Sequence, residues 1–157
     1  KKIIKIINKF KGLKYRQQIV FNSNNLTIIN DSKSTSLASS ENLLKNFKSV
    51  YWILCGIPKQ GDKFNLTKSQ CKNFKSYIFG NYYIQFRKNF KNKLKTKKFD
   101  NLKHTLNQIF LEIKNNKRKK HTILFSPAGA SFDNFKNFEE RGFYFNQTIK
   151  KYLNAKR

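Results

Sequence analysis

The chain has 157 residues, the length of about one domain, and its 34 Lys and Arg against 8 Asp and Glu give a formal net charge of +26. A hydrophobic content of 38% and an aromatic content of 15% are enough to bury a core, which excludes a wholly disordered chain in spite of the charge. No apolar run reaches the ~20 residues that a membrane-spanning helix needs, and no export signal is visible. A cytoplasmic protein with no membrane partner is therefore expected.

The positive charge invites a nucleic-acid interpretation, but the composition weakens it. Most of the basic residues are Lys, and Asn, Phe and Ile are also abundant, which is the pattern that A- and T-rich codons produce without selection for phosphate contacts. A basic α/β module that binds nucleic acid is the alternative function, with Tyr82, Tyr83 and Phe86 as aromatic side chains for base stacking. Nucleic acid is nevertheless not the expected partner.

The N-terminal part of the sequence predicts a linker followed by a hairpin. Residues 1–12 alternate Lys with Ile pairs and close on Gly12, which is typical of the end of an interdomain helix or linker. Residues 13–157 are then one domain. Its first two β-rich runs, residues 16–22 and 26–30, are separated by turn-forming residues and predict an antiparallel hairpin.

Downstream of the hairpin, strands and helices alternate. The predicted strands cover residues 50–54, 77–79 and 122–125, and the predicted helices include Leu37 to Phe47, a short helix opened by Thr67 and Gln70, Tyr82 to Phe90, residues 101–114, and a last helix lined by Phe138, Phe145, Ile149, Tyr152 and Leu153. Alternation of this kind favours a Rossmann-like α/β fold, with a mostly parallel sheet of about six strands, one of them antiparallel, and helices on both faces.

Three polar loops follow predicted strands, and ligands of open α/β sheets bind at the carboxyl ends of the strands. The loops are residues 30–36, 56–62 and 126–133. Besides three Asp they contain hydroxyl groups and two Lys, which suit small anions such as carboxylate and phosphate. The sequence has no GxxxxGK[ST] or GxGxxG motif. The two Cys lack CxxC spacing and a His cluster, so no metal site is expected.

Two segments carry a resemblance to a known family. Residues 29–35, Ile-Asn-Asp-Ser-Lys-Ser-Thr, and the block from Leu124 to Gly142 resemble the C-terminal domain of the Mur ligases, and in particular of the members that add D-glutamate. The resemblance implies the D-glutamate-positioning domain of an ATP-dependent amide ligase of peptidoglycan synthesis, and hence a role in cell wall biogenesis, cell shape and cell division. The UDP-binding and ATPase domains of such a ligase lie outside this chain, so the isolated domain is expected to be inactive.

The same resemblance implies the site residues. D-glutamate is assigned to Thr35, Lys59, Ser131, Phe132 and Phe138, and the nucleotide side to Arg16, Asp31 and Lys33. A Lys charge and hydroxyl donors suit the two carboxylates of D-glutamate. ATP and Mg²⁺ are expected to be bound mainly by the central domain, UDP-N-acetylmuramoyl-L-alanine by the domains outside this chain, and the protein is expected to be a monomer.

Overall fold

The computed structural model describes residues 12–116 and 120–155. The linker predicted over residues 1–12 therefore lies outside the described residues, apart from Gly12. The described part contains a six-stranded sheet in the order β1-β2-β7-β3-β5-β6 and a separate two-stranded ribbon formed by β4 and β8. The strands are β1 Gln18–Asn22, β2 Leu26–Asn30, β3 Val50–Leu54, β4 Ile57–Pro58, β5 Phe74–Phe79, β6 Lys95–Phe99, β7 His121–Phe125 and β8 Gly129–Ala130.

The predicted fold class is confirmed. Strand β1 pairs with β2 in the antiparallel direction, and every other pairing in the large sheet is parallel. The initial hairpin thus adds the one antiparallel strand to a parallel sheet. The ribbon of β4 and β8, which is antiparallel, was not predicted from the sequence.

Helices cover both faces of the sheet. In the described residues they are α1 Leu37–Leu44, α2 Tyr83–Phe90, α3 Leu102–Lys114 and α4 Phe138–Asn154. Because side chains alternate along a strand, Trp52 and Leu54 of β3 pack against the cluster that contains α1 and α2. Tyr51 and Ile53 pack against the opposite cluster, which contains α3 and α4. All five residues of β3 are buried, as a central parallel strand requires.

Two details differ from the sequence-based expectation. Thr67 and Gln70 exchange the predicted capping hydrogen bonds, but the chain behind them forms only turns before β5 begins at Phe74. Strand β6 was missed because its sequence, Lys-Thr-Lys-Lys-Phe, has no apolar run. It lies at the edge of the sheet, where charged side chains can remain in water.

Candidate ligand-binding site

The three polar loops meet at the carboxyl edge of the sheet. The backbone N–H of Asp31 donates to Phe125 O at 2.7 Å, which ties the loop after β2 to the end of β7. The N–H of Ala128 donates to Ser34 O at 3.0 Å, and the N–H of Cys55 donates to Pro127 O at 3.3 Å. The loop after β7 is therefore bonded to both of the others.

Two glycines allow the loops after β3 and β7 to pass at backbone distance. Gly56 has a φ of +90°, and a Cβ placed on it would lie 2.2 Å from Ala130 O. A Cβ on Gly129 would lie 2.7 Å from Cys55 O. Only glycine fits this approach, which continues into the pairing of β4 with β8.

A buried arginine, Arg141, lies under these loops. Its side chain is 0% exposed, and Nε donates to Ser32 Oγ at 3.1 Å, Nη2 to Ser32 O at 2.8 Å and Nη1 to Gly129 O at 2.8 Å. Burial lowers the pKa of the guanidinium, although a group with so high an ordinary pKa keeps its charge. Arg141 thus ties the loop after β2 to strand β8.

Sequence reasoning gave Arg141 no role, although a signal was present. Arg141 lies three residues after Phe138 and four before Phe145, at the spacing that puts all three on one face of α4. Phe145 is fully buried in the core. A lone Arg on the core face of a helix needs hydrogen-bond acceptors inside the fold, and the loop carbonyls supply them.

Asp31 is a second buried polar group of the site, with 5% of its surface exposed. Its carboxylate accepts hydrogen bonds from the N–H of Gln17 at 3.1 Å, from the hydroxyl of Ser126 at 3.1 Å and from the hydroxyl of Ser34. Burial raises the pKa of Asp31, while these hydrogen bonds and Arg16 act in the opposite direction. The carboxylate holds the segment before β1 against the loops.

The other two residues assigned to the nucleotide side, Arg16 and Lys33, lie close to Asp31 in the chain or in space. Arg16 is exposed. It directly precedes Gln17, whose backbone N–H donates a hydrogen bond to the Asp31 carboxylate. Lys33 is half-buried, and its backbone N–H donates to Tyr15 O at 3.0 Å. Arg16, Asp31 and Lys33 therefore belong to two segments that are bonded to each other.

The residues assigned to D-glutamate lie on the connected loops and at the start of α4. Thr35 and Lys59 are exposed, Phe132 is 73% exposed, Ser131 is buried, and Phe138 is half-buried. Lys59 and Ser131 directly follow β4 and β8. Because that ribbon is antiparallel, they lie at its opposite ends, about 10 Å apart along a strand.

The aromatic residues of the nucleic-acid alternative differ in burial. Phe86 is fully buried, and Tyr82 and Tyr83 pack against the same cluster as partly buried side chains. Base stacking needs an open ring face. Phe86 therefore has no ring face available for stacking.

Three further properties of the described residues concern metal binding, membrane insertion and thiol chemistry. No group of three or more His, Cys, Asp and Glu gathers there to hold a metal ion. None of the described helices is long and apolar enough to cross a membrane. Burial raises the pKa of the Cys55 thiol to about 12, so this side chain is protonated at neutral pH and is not a nucleophile.

Comparison with known proteins finds several relatives of this chain. A scan against protein-family models finds no match. The chain is 33% identical over 152 residues to a protein of Rickettsia prowazekii, 37% over 140 residues to one of a Brugia malayi Wolbachia, and 38% over 148 residues to one of Petrotoga mobilis. These matches cover 97%, 89% and 92% of this chain but 34%, 28% and 33% of the relatives. The chain thus spans about a third of their length.

About nine-tenths or more of this chain is similar to part of each relative, and the parallel sheet with its carboxyl-edge loops is consistent with the Mur ligase C-terminal domain that the sequence resembles. All three relatives bear the same name, UDP-N-acetylmuramoylalanine–D-glutamate ligase. The resemblance found in residues 29–35 and in the block from Leu124 to Gly142 is therefore confirmed at the level of the family.

Proposed function

We propose that this chain is the D-glutamate-positioning domain of an ATP-dependent ligase that adds D-glutamate to UDP-N-acetylmuramoyl-L-alanine in peptidoglycan synthesis. The observation that carries the proposal is the linkage of the three polar loops to one another at the carboxyl edge of the sheet, over the buried Arg141. The names of the relatives supply the reaction. The domain boundary proposed with it is residues 13–157.

The chemistry of this site is the positioning of an amine. In the proposed reaction the amine of D-glutamate attacks an acyl phosphate, a C–N bond forms, the C–O bond to phosphate breaks, and phosphate leaves as the amine loses a proton. Lys59 pairs with a D-glutamate carboxylate, and the hydroxyls of Thr35 and Ser131 donate hydrogen bonds to the carboxylates. Phe132 and Phe138 cover the methylene groups. Holding the amine in place contributes through proximity, not through acid–base chemistry.

The nucleotide side of the proposed site uses Arg16 and Lys33 as cations toward the phosphates of ATP. Asp31 is nearly buried and already accepts three hydrogen bonds, so in this proposal it acts toward the ribose side chiefly by fixing Gln17 and thus Arg16. Magnesium and most contacts to ATP belong to the central domain outside this chain. The sugar nucleotide is likewise bound outside it. The isolated domain is inactive in this proposal, and the ligase is a cytoplasmic monomer.

A domain replacement tests the proposal. The C-terminal third of the Rickettsia prowazekii ligase is replaced by this chain, and release of phosphate is measured with UDP-N-acetylmuramoyl-L-alanine, ATP and D-glutamate. We expect turnover that requires D-glutamate and is not supported by L-glutamate. Binding of D-glutamate to the free chain is measured in parallel by amide NMR shifts. A replacement protein without turnover, together with a free chain that shows no shifts at residues 56–62 and 126–133, contradicts the proposal.

A further inference from the structure

A second concave surface lies beside the proposed D-glutamate site. It is a groove of about 720 Å³ between the loop of residues 58–65 and the C-terminal part of α2 with the turn that follows it. Five lysines, Lys59, Lys63, Lys88, Lys91 and Lys93, line the groove. One wall is the loop that leaves the ribbon strand β4, and the other reaches Lys91 and Lys93, just before the parallel strand β6 begins at Lys95. The groove therefore runs from the end of β4 toward the amino end of β6.

The charge of this lysine groove is not balanced from within. Asp62 is the one acidic residue in its lining, which gives the lining a net charge of +4. The carboxylate of Asp62 is engaged by the backbone N–H of Leu37 at the start of α1. Lys93 donates to Phe64 O at 2.9 Å, which holds one of the ammonium groups at the wall of the groove.

A lysine cluster elsewhere in the domain is neutralised in part by a carboxylate. Lys75 and Lys97 on β5 and β6 form ion pairs of 2.6 and 2.7 Å with Glu112 of α3. A lysine cluster in this lysine-rich chain can therefore be paired with a carboxylate. In the lysine groove, four carboxamide side chains add further donors. None of its five lysines forms an ion pair with a described carboxylate.

The shape and lining of the groove narrow the class of ligand. A volume of about 720 Å³ exceeds the space of one phosphate and matches that of a small-molecule site. Nearby aromatic rings are not open to bases, since Phe64 is 4% and Phe86 0% exposed. Dense positive charge without a stacking surface favours linked phosphates over the bases of a nucleic acid.

We propose that the lysine groove binds a small ligand with two or more linked phosphate groups. The groove meets the proposed D-glutamate site at Lys59, but the proposal does not depend on the ligase reaction. It needs only the ammonium groups of Lys63, Lys88, Lys91 and Lys93 and the carboxamides between them. The linked phosphates are either a free polyphosphate or the phosphate chain of a nucleotide.

Calorimetric titration of the 157-residue chain tests this, with tripolyphosphate, ATP, inorganic phosphate and a short oligothymidylate as the probes. The groove variant carries Lys63→Ala, Lys88→Ala and Lys91→Ala and leaves Lys59 intact. The matched control carries Lys48→Ala, Lys103→Ala and Lys136→Ala, three exposed lysines outside the groove that remove the same charge. We expect tripolyphosphate to bind more tightly than phosphate, and the groove variant alone to weaken it by about 10-fold.

Each outcome bears on the proposal. Affinity for ATP equal to that for tripolyphosphate identifies the phosphate chain as the recognised part, whereas tighter binding of ATP points to a nucleotide source. Amide NMR shifts at residues 59–65 and 85–93 would support the location. Equal loss of affinity in both variants would mean diffuse attraction and would overturn the site. Tighter binding of the oligothymidylate than of tripolyphosphate would overturn it in favour of nucleic acid.

Discussion

The ammonium group of Lys33 lies 4.1 Å from the centroid of the Phe138 ring. Lys33 belongs to the loop after β2 and Phe138 is the first residue of α4, so this cation–π contact closes the loop onto the helix. A hydrogen bond from Ser32 Oγ to Phe138 O at 2.8 Å reinforces it. The contact joins a residue assigned to the nucleotide side to one assigned to D-glutamate, and so it links the two halves of the proposed site.

The first prediction concerns the energy of this contact. Phe138→Leu keeps an apolar side chain but removes the ring face, and Lys33→Met keeps the length of the side chain but removes the charge. In a double-mutant cycle followed by urea unfolding, we expect a coupling free energy of about 0.5–1 kcal/mol. Strictly additive effects of the two substitutions would mean that the contact does not stabilise the fold.

The second prediction concerns Arg141. The substitution Arg141→Met leaves the buried carbonyls of Ser32 and Gly129 without donors, and each such group costs about 1–3 kcal/mol. We therefore expect urea unfolding to report a loss of about 3 kcal/mol. Arg87→Met on the exposed side of α2 is the matched control and should change stability by less than about 0.5 kcal/mol. Similar losses in both variants would contradict the role given to Arg141.

Much of the fold could be predicted because its signals are local. The apolar run of residues 50–54 and the 3.6-residue periodicity of residues 101–114 each identify an element without reference to the rest of the chain. Strand β6 could not be found in this way, since its pairing with β5 and not its own composition makes it a strand. A local signal can also mislead. Thr67 and Gln70 form the capping hydrogen bonds that are typical of a helix start, but only turns follow them.

The candidate site was predictable only in part, for the same reason. The loops could be placed at one edge because parallel strands point the same way. The hydrogen-bond partners of Arg141 could not be predicted, because Ser32 lies 109 residues away along the chain. The lysine groove was also missed, since its two walls come from separate segments that only the pairing of β3 with β5 brings together.

The third prediction is a pH dependence that depends on Glu112. Burial raises the pKa of Glu112, but hydrogen bonds from Lys75, Lys97, Gln108 and Tyr77 outweigh burial and lower the pKa from 4.5 to about 2. Because the folded pKa lies below the unfolded one, the stabilisation is complete above pH 4.5 and is lost as the pH falls toward 2. Glu112→Gln should therefore be less stable than the parent at pH 7 by about 1–2 kcal/mol, with both lysines partly exposed to solvent.

This difference should shrink as the pH is lowered from 4.5 to about 2, because the parent protein loses the charge that the variant lacks. Urea unfolding of both proteins across this range measures it. Glu139→Gln, at an exposed carboxylate in the first turn of α4, is the control and should show a smaller effect at pH 7. A gap between parent and Glu112→Gln that does not change with pH would contradict the assignment of the ion pairs.

The last prediction tests Lys59 directly, in the ligase of which we propose this chain is a part. Lys59 is exposed directly after β4, in a loop whose packing does not require a charge. If its ammonium group pairs with a D-glutamate carboxylate, Lys59→Ala removes a charge-assisted contact with a net value of about 1.5–3 kcal/mol. This corresponds to an increase of about 10- to 150-fold in the KM for D-glutamate. The requirements for ATP and for the sugar nucleotide should change far less.

Lys63→Ala separates this effect from a general loss of positive charge. Lys63 is exposed in the same loop, four residues further on, and lines the lysine groove together with Lys59. If D-glutamate is held by a specific pair at Lys59, Lys63→Ala leaves the KM for D-glutamate unchanged, because diffuse attraction by one exposed lysine is screened by salt. Steady-state kinetics of both variants decides the matter. Equal KM values for D-glutamate in the parent and Lys59→Ala would remove Lys59 from the site. Equal increases of this KM in Lys59→Ala and Lys63→Ala would mean that the summed positive charge of the groove, and not a specific ion pair, attracts D-glutamate.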